Sequence, residues 1–79
     1  MYVKLYAVNE IKNEFERDRI IYGVTAERFA QARSIARLDA DHDGDMLADL
    51  MDENHDIVDV LVFSRQMRDR VISELKPVN

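Results

Sequence analysis

The sequence predicts an all-α fold, a small bundle of about four helices, and three observations support this prediction. The 79 residues include only two glycines and one proline to interrupt helices. Apolar residues recur at near-helical spacing in the first and last segments of the chain. Candidate capping residues stand where the helices would begin and end. The length corresponds to one domain, residues 1–79.

The first predicted helix covers residues 2–22. Its apolar face carries Leu5, Val8, Ile11 and Phe15 at near-helical spacing, and its other face is polar. Gly23 follows directly, where a glycine commonly ends a helix in the left-handed conformation. The residues after Gly23 are therefore expected to start a new element.

The second predicted helix covers about residues 26–38, with Thr25 as its N-cap. Glu27 lies in its first turn, where the helix dipole favours an acidic side chain. Its spacing predicts that Phe29, Ala32 and Ala36 are buried and that Ile35 lies at the edge of the apolar face.

The last two predicted helices cover about residues 45–54 and a segment from the cap Asp56 to about Leu75. The shorter one places Met46, Leu47, Leu50 and Met51 on one side. The longer one has the apolar stripe Ile57, Val60, Leu61, Ser64, Met67, Val71 and Leu75. Pro77 follows, at a position typical for the end of a helix.

Two stretches support an alternative α+β fold. The segments YVKLYAV (2–8) and IVDVLVF (57–63) are rich in β-branched and aromatic residues, which favour strands. If both form strands, the sheet needs a helix packed on it, or a second chain, to be stable.

The charge of the chain is concentrated in its centre. The formal net charge is -5, but residues 39–64 contain nine acidic side chains and no lysine or arginine. The flanking segments are mildly basic. A dedicated nucleic-acid binder requires a basic stripe, so this class is disfavoured. A protein partner with a basic surface, a cation, or the chain's own arginines would match the acidic segment.

Within this segment, LDADHDGDML (38–47) resembles the start of an EF-hand calcium loop. Asp39, Asp41 and Asp43 stand at its first, third and fifth positions, Gly44 at the sixth and Asp45 at the seventh. The resemblance implies a calcium site with Asp39, Asp41, Asp43 and Asp45 as ligands. The sequence departs from the pattern at the twelfth position, where Leu50 replaces the bidentate glutamate. The alternative is an acidic loop in which Asp43 caps the next helix.

The residues indicate no enzyme. The chain has no cysteine nucleophile, no glycine-rich phosphate loop and no glycine-framed serine. Its two histidines, His42 and His55, are not spaced as a helical zinc pair. No cofactor other than calcium is indicated. The apolar runs are too short for a signal peptide or a membrane span, so a cytoplasmic location is expected.

The predicted function is a non-catalytic protein–protein interaction module, such as a small regulator, inhibitor or accessory protein, phage-borne ones included. A homodimer is expected because a small core gains from a shared apolar face. A calcium-binding protein is the second hypothesis, and an acidic nucleic-acid mimic is the third. The residues predicted to bind the partner are Asp49, Asp52, Glu53, Asp56, Asp59, Met46, Leu50 and Met51.

Overall fold

The computed structural model describes residues 1–38 and 44–76, which form a small α+β fold. The strands are β1 (Tyr2–Asn9), β2 (Glu14–Tyr22), β3 (Met46–Met51) and β4 (Ile57–Phe63). The helices are α1 (Ala26–Ala36) and α2 (Arg68–Leu75), and a short 3₁₀ turn, Arg65–Met67, precedes α2. The predicted all-α bundle, and with it the description as a small helical protein, is therefore wrong.

The four strands form one antiparallel sheet in the order β2-β1-β3-β4. The chain thus consists of two consecutive ββα units, whose first strands, β1 and β3, pair in the centre of the sheet. The second strand of each unit, β2 or β4, forms an edge. The strand order is consequently symmetric about the central pair of β1 and β3.

The core lies between one face of the sheet and both helices. Side chains alternate across a strand, and the inward set includes Val3, Leu5, Leu50 and Phe63. From the helices, the largest buried side chain is Phe29 of α1, and α2 contributes Val71, Ile72 and Leu75. Burying side chains of this size stabilises a fold by about 1.5–3 kcal/mol each.

The predicted first helix, residues 2–22, is instead the β1–β2 hairpin. The side chain of Asn9 accepts hydrogen bonds from the amides of Ile11 and Lys12 at 3.0 and 3.2 Å, which reverses the chain. Asn13 completes the turn with a φ of 53°, a left-handed conformation that asparagine tolerates. Gly23, with a φ of 72°, therefore follows a strand rather than a helix.

The predicted third helix, residues 45–54, is also wrong, because β3 and the start of a tight turn occupy this segment. Asp52 Oδ1 accepts hydrogen bonds from the amides of Asn54 and Asp56, each at 2.9 Å. His55 has a φ of 64°. Asp56 thus belongs to the β3–β4 turn and does not cap a helix. β1 and β4 lie where the α+β alternative placed strands, although they pair with β2 and β3 and not with each other.

The prediction for α1 is confirmed. Thr25 Oγ1 accepts a hydrogen bond from the Arg28 amide at 3.1 Å, as an N-cap does. Phe29, Ala32 and Ala36 are buried, and Ile35 is partly buried against the core. Within residues 1–38 and 44–76, neither helix is long and apolar enough to cross a membrane.

Candidate interaction surface

The sheet face opposite the helices, here called the open face, is not covered by any described part of the chain. Strand pairing aligns its side chains in rows across the sheet. One row is Ile20, Lys4, Asp49 and Val60, and the next is Arg17, Tyr6, Leu47 and Val62. A third row, at the end near the β3–β4 turn, is Tyr22, Tyr2, Met51 and Ile57, and Phe15 and Val8 lie at the opposite end.

The open face is unusually apolar for a solvated surface. An antiparallel sheet with one wet face normally alternates apolar and polar residues along each strand. β4 does not alternate in this way, because Val60 and Val62 point away from the core and are 40% and 43% exposed. Such strands resemble those buried on both faces. The signal in the sequence was IVDVLVF (57–63), which has apolar residues at positions that point to either face of the strand.

Lys4 and Asp49 form the polar centre of this face. They are directly opposite each other on β1 and β3, and both side chains are half-buried. Burial raises the pKa of the Asp49 carboxyl, and the positive charge of Lys4 opposes that shift in part. A carboxylate partly removed from water thus lies beside a single cation in an apolar setting.

At the end of the open face, exposed apolar side chains lie beside the acidic β3–β4 turn, residues 52–56. Tyr2 links the two, since its hydroxyl lies 2.6 Å from His55 Nδ1 and its ring centroid lies 5.9 Å from that of Tyr22. Tyr22 and Ile57 are 69% and 56% exposed. Glu53 and Asp56 of the turn are also exposed. This group of apolar and acidic side chains is here called the turn end.

The edge formed by β4 is blocked at its middle by an ion pair. Arg33 of α1 contacts Asp59 Oδ1 at 2.7 Å and donates a hydrogen bond to the Val60 carbonyl at 3.1 Å. Asp59 Oδ1 also accepts a hydrogen bond from the Val60 amide at 2.8 Å. These contacts, the Arg33 hydrogen bond foremost, hold the pKa of Asp59 below its usual range. Both outward backbone groups of Val60 are therefore satisfied.

The other edge, β2, is protected by charge and by an irregularity in the strand. Asp18 is an extra residue between the pairs Leu5–Arg19 and Tyr6–Arg17, so it forms a bulge. Arg68 at the start of α2 contacts the Asp18 carboxylate at 2.8 Å. Charged side chains and bulges at an edge both oppose pairing with another strand.

The structure distributes the predicted partner-binding residues among different roles. Met46 and Leu50 lie in the core, and Met51 is buried on the open-face side of β3. Asp52 and Asp59 are used within the fold, by the turn and by Arg33. Asp49 lies on the open face, and Glu53 and Asp56 lie at the turn end. The open-face residues Tyr6, Ile20, Leu47, Val60 and Val62 were not predicted as a surface, because the sequence placed them in helices.

The predicted calcium ligands Asp39, Asp41 and Asp43 lie outside the described residues. Gly44 has a φ of 80°, a conformation suited to glycine, and the Asp45 carbonyl accepts a hydrogen bond from the Val8 amide at 2.8 Å. β3 follows, rather than the exit helix of an EF-hand. The part of the chain that the structure describes contains no group of three His, Cys, Asp or Glu residues that could hold a metal ion. Calcium binding stays a prediction.

A concavity that is open to solvent lies at the β1–β2 hairpin. It has a volume of about 440 Å³, and its lining includes Asn9, Glu16, Arg17 and Arg65. Arg65 donates a hydrogen bond to the Val8 carbonyl at 2.8 Å, and Glu16 accepts one from Asn9 at 3.0 Å. Arg65 therefore holds the hairpin against the 3₁₀ turn, and the bond between Asn9 and Glu16 links the two strands of the hairpin.

No protein-family model, curated protein or solved structure matches this chain.

Proposed function

We propose that this chain is a non-catalytic protein–protein interaction domain that binds a partner with a basic surface at its turn end. The observation that carries the proposal is the combination found there. Exposed aromatic and aliphatic side chains lie beside the exposed carboxylates Glu53 and Asp56, on a hydrogen-bonded turn between two paired strands.

The apolar members of the turn end supply the contact area. Tyrosine is enriched among the residues that dominate binding energy, because it buries a large ring at low cost in side-chain entropy. Tyr22 is 69% exposed and its ring lies near that of Tyr2. Ile57 and Val58, the exposed first residues of β4, add to this apolar area.

The acidic members supply selectivity for a basic partner. Complementary charge at the rim of an interface accelerates association and excludes partners of like charge. Asp52 and Asp59 are engaged inside the fold, so Glu53 and Asp56 are the carboxylates of the turn region that are presented to a partner. Since these groups are exposed, binding should weaken as salt rises.

The test is charge reversal at the turn end with a matched control. The variant Glu53→Lys/Asp56→Lys is compared with Glu10→Lys/Glu14→Lys, which changes the net charge equally at the opposite, hairpin end of the sheet. Asp52 is left unchanged because its carboxylate holds the turn. Each protein is immobilised, and the proteins retained from a lysate of the source cells are quantified at low and high salt.

The expected result is a partner of basic charge that wild type and the hairpin-end variant retain equally and the turn-end variant loses. Circular dichroism should show the same folded spectrum for all three proteins. Equal retention by the turn-end variant, or equal loss by both variants, would contradict the proposal.

A further inference from the structure

We infer that a second copy of this chain covers the open face, in a two-fold dimer in which Lys4 of each copy lies over Asp49 of the other. The inference is argued from the middle rows of the open face. The dimer would also cover the end row, whose exposed members Tyr22 and Ile57 belong to the turn end, so a partner bound to them and a second copy would compete for this row. The inference does not depend on the proposed function.

Because the open face is largely apolar, we expect it to pack against another molecule. Its middle rows carry Tyr6, Ile20, Leu47, Val60 and Val62, of which the two valines on β4 are about two-fifths exposed. Contiguous apolar surfaces of this kind mark binding sites in soluble proteins. Sheets pack readily face to face through such side chains, about 10 Å apart.

Addition of a strand at a sheet edge is the competing mode of association, and the contacts oppose it on both sides. On β4, the Arg33–Asp59 pair occupies the outward amide and carbonyl of Val60. On β2, the bulge at Asp18 and its contact with Arg68 interrupt the edge. The open face is therefore the surface left for a second layer.

The charges on the face select a second copy and fix its orientation. Lys4 and Asp49 are opposite each other on the two central strands. Rotation by 180° about an axis parallel to the strands, in the plane between two stacked sheets, places β1 of one copy over β3 of the other. Each Lys4 then lies over the other copy's Asp49. A purely apolar partner would bury both charges without these contacts, which is costly.

The same rotation matches the apolar residues. Tyr6 lies over the other copy's Leu47, and Ile20 lies over the other copy's Val60, because each pair shares a row. Arg17 lies over Val62 at the margin, where its guanidinium reaches water while its aliphatic stem packs. A two-fold axis perpendicular to the strands would place β1 over β1 and would separate Lys4 from Asp49.

The area of the face indicates a weak dimer. Four strands about 4.8 Å apart and seven residues at about 3.3 Å each give a face of roughly 450 Å². Two copies then bury about 900 Å², near the lower limit of about 1,000 Å² for a specific interface. Dissociation in the micromolar range is therefore expected.

The test uses sedimentation of two charge-reversed variants, Lys4→Asp and Asp49→Lys, alone and mixed in equal amounts. In a dimer of either variant alone, like charges would lie over one another. The dissociation constant of that dimer should therefore be at least about tenfold higher than that of wild type. In the mixture, the aspartates of one variant face the lysines of the other, so dimers should return. Pairing within a single chain cannot produce recovery on mixing.

Wild type is measured from low micromolar to about 500 μM, a range that brackets the expected dissociation constant. A third variant, Leu47→Arg, should be monomeric throughout and remain folded, since Leu47 lies outside the core. The inference is overturned if wild type stays monomeric over this range. It is also overturned if the mixture is no more dimeric than its components, or if Leu47→Arg dimerises as wild type does.

Discussion

In the single folded chain, the ionised form of the Asp49 side chain is disfavoured. Burial raises its pKa, which means that the charged form is less stable in the folded than in the unfolded chain. This cost is present at neutral pH. It decreases as pH falls through the raised folded-state pKa, and it is absent below the ordinary pKa, where the group is protonated in both states. A cation brought by a second copy would offset the cost.

We therefore predict that Asp49→Asn raises the melting temperature of the monomer at pH 7. The gain should shrink as pH approaches 3.8, the ordinary pKa of this group. Thermal unfolding at low protein concentration, followed by circular dichroism from pH 7 down to pH 3.8, measures it. Asp56→Asn, a change at an exposed carboxylate, is the control and should leave the melting temperature nearly unchanged. A lower melting temperature for Asp49→Asn at pH 7 would contradict this explanation.

Asp59 shows the opposite behaviour. The Arg33 hydrogen bond lowers its pKa, so the ionised form stabilises the folded chain above the ordinary pKa of the group, and this stabilisation is lost as pH falls through the lowered value. Two acidic residues of one charged segment thus have different consequences. The difference follows from whether an arginine of a neighbouring helix reaches the carboxylate.

At the scale of elements, β4 shows why the helical interpretation failed. Leu61 and Val62 are neighbours in sequence, and the predicted helix placed Leu61 on its apolar stripe. In the strand they point to opposite faces, so Leu61 is 4% exposed and Val62 is 43% exposed. The burial of β4 therefore has a period of two over Leu61, Val62 and Phe63.

Alanine substitutions at this pair measure the two faces separately. Leu61→Ala should reduce the free energy of unfolding by about 2–5 kcal/mol, because it leaves a cavity in the core. Val62→Ala should reduce it by less than about 1 kcal/mol in the monomer, because the side chain is exposed there. Urea unfolding at low protein concentration gives both values. Similar losses for both variants would contradict the assignment of the faces.

The helix α1 could be predicted from sequence because its signals are local. Thr25 caps it, Glu27 follows in the first turn, and Phe29, Ala32 and Ala36 share one face. The hairpins could not be predicted as readily. Their turns are closed by the side chains of Asn9 and Asp52, together with left-handed Asn13 and His55, rather than by glycine or proline. Spacing that suits a helix then prevailed over the β propensity of the same residues.

The candidate site was predicted in part for a similar reason. Glu53 and Asp56 could be identified from the density of acidic residues alone, and they are exposed. The open face required knowledge of strand pairing. Lys4 and Asp49 are far apart in sequence, and only the β1–β3 register brings them together. Met46 and Leu50, predicted at the surface with the acids, lie in the core because they point inward from β3.

At the scale of the whole molecule, the two ββα units place both helices of the described residues on one side of the sheet. The result is a two-layer fold with one covered face and one open face. The two-fold rotation inferred for the dimer would bring both open faces together and give four layers, with the helices outside. Because the axis is parallel to the strands, both acidic turns would lie at the same end, and the apolar row of the turn end would lie between the two copies.

The central claim, that the open face is a contact surface, is tested most directly by amide resonances recorded over a dilution series. The expected result is that concentration shifts the amide signals of the strand residues Lys4, Tyr6, Leu47, Asp49 and Val60. The signals of α1 and α2, on the opposite side of the sheet, should stay in place. Strand signals that do not move at any concentration, or shifts confined to the helices, would contradict the claim.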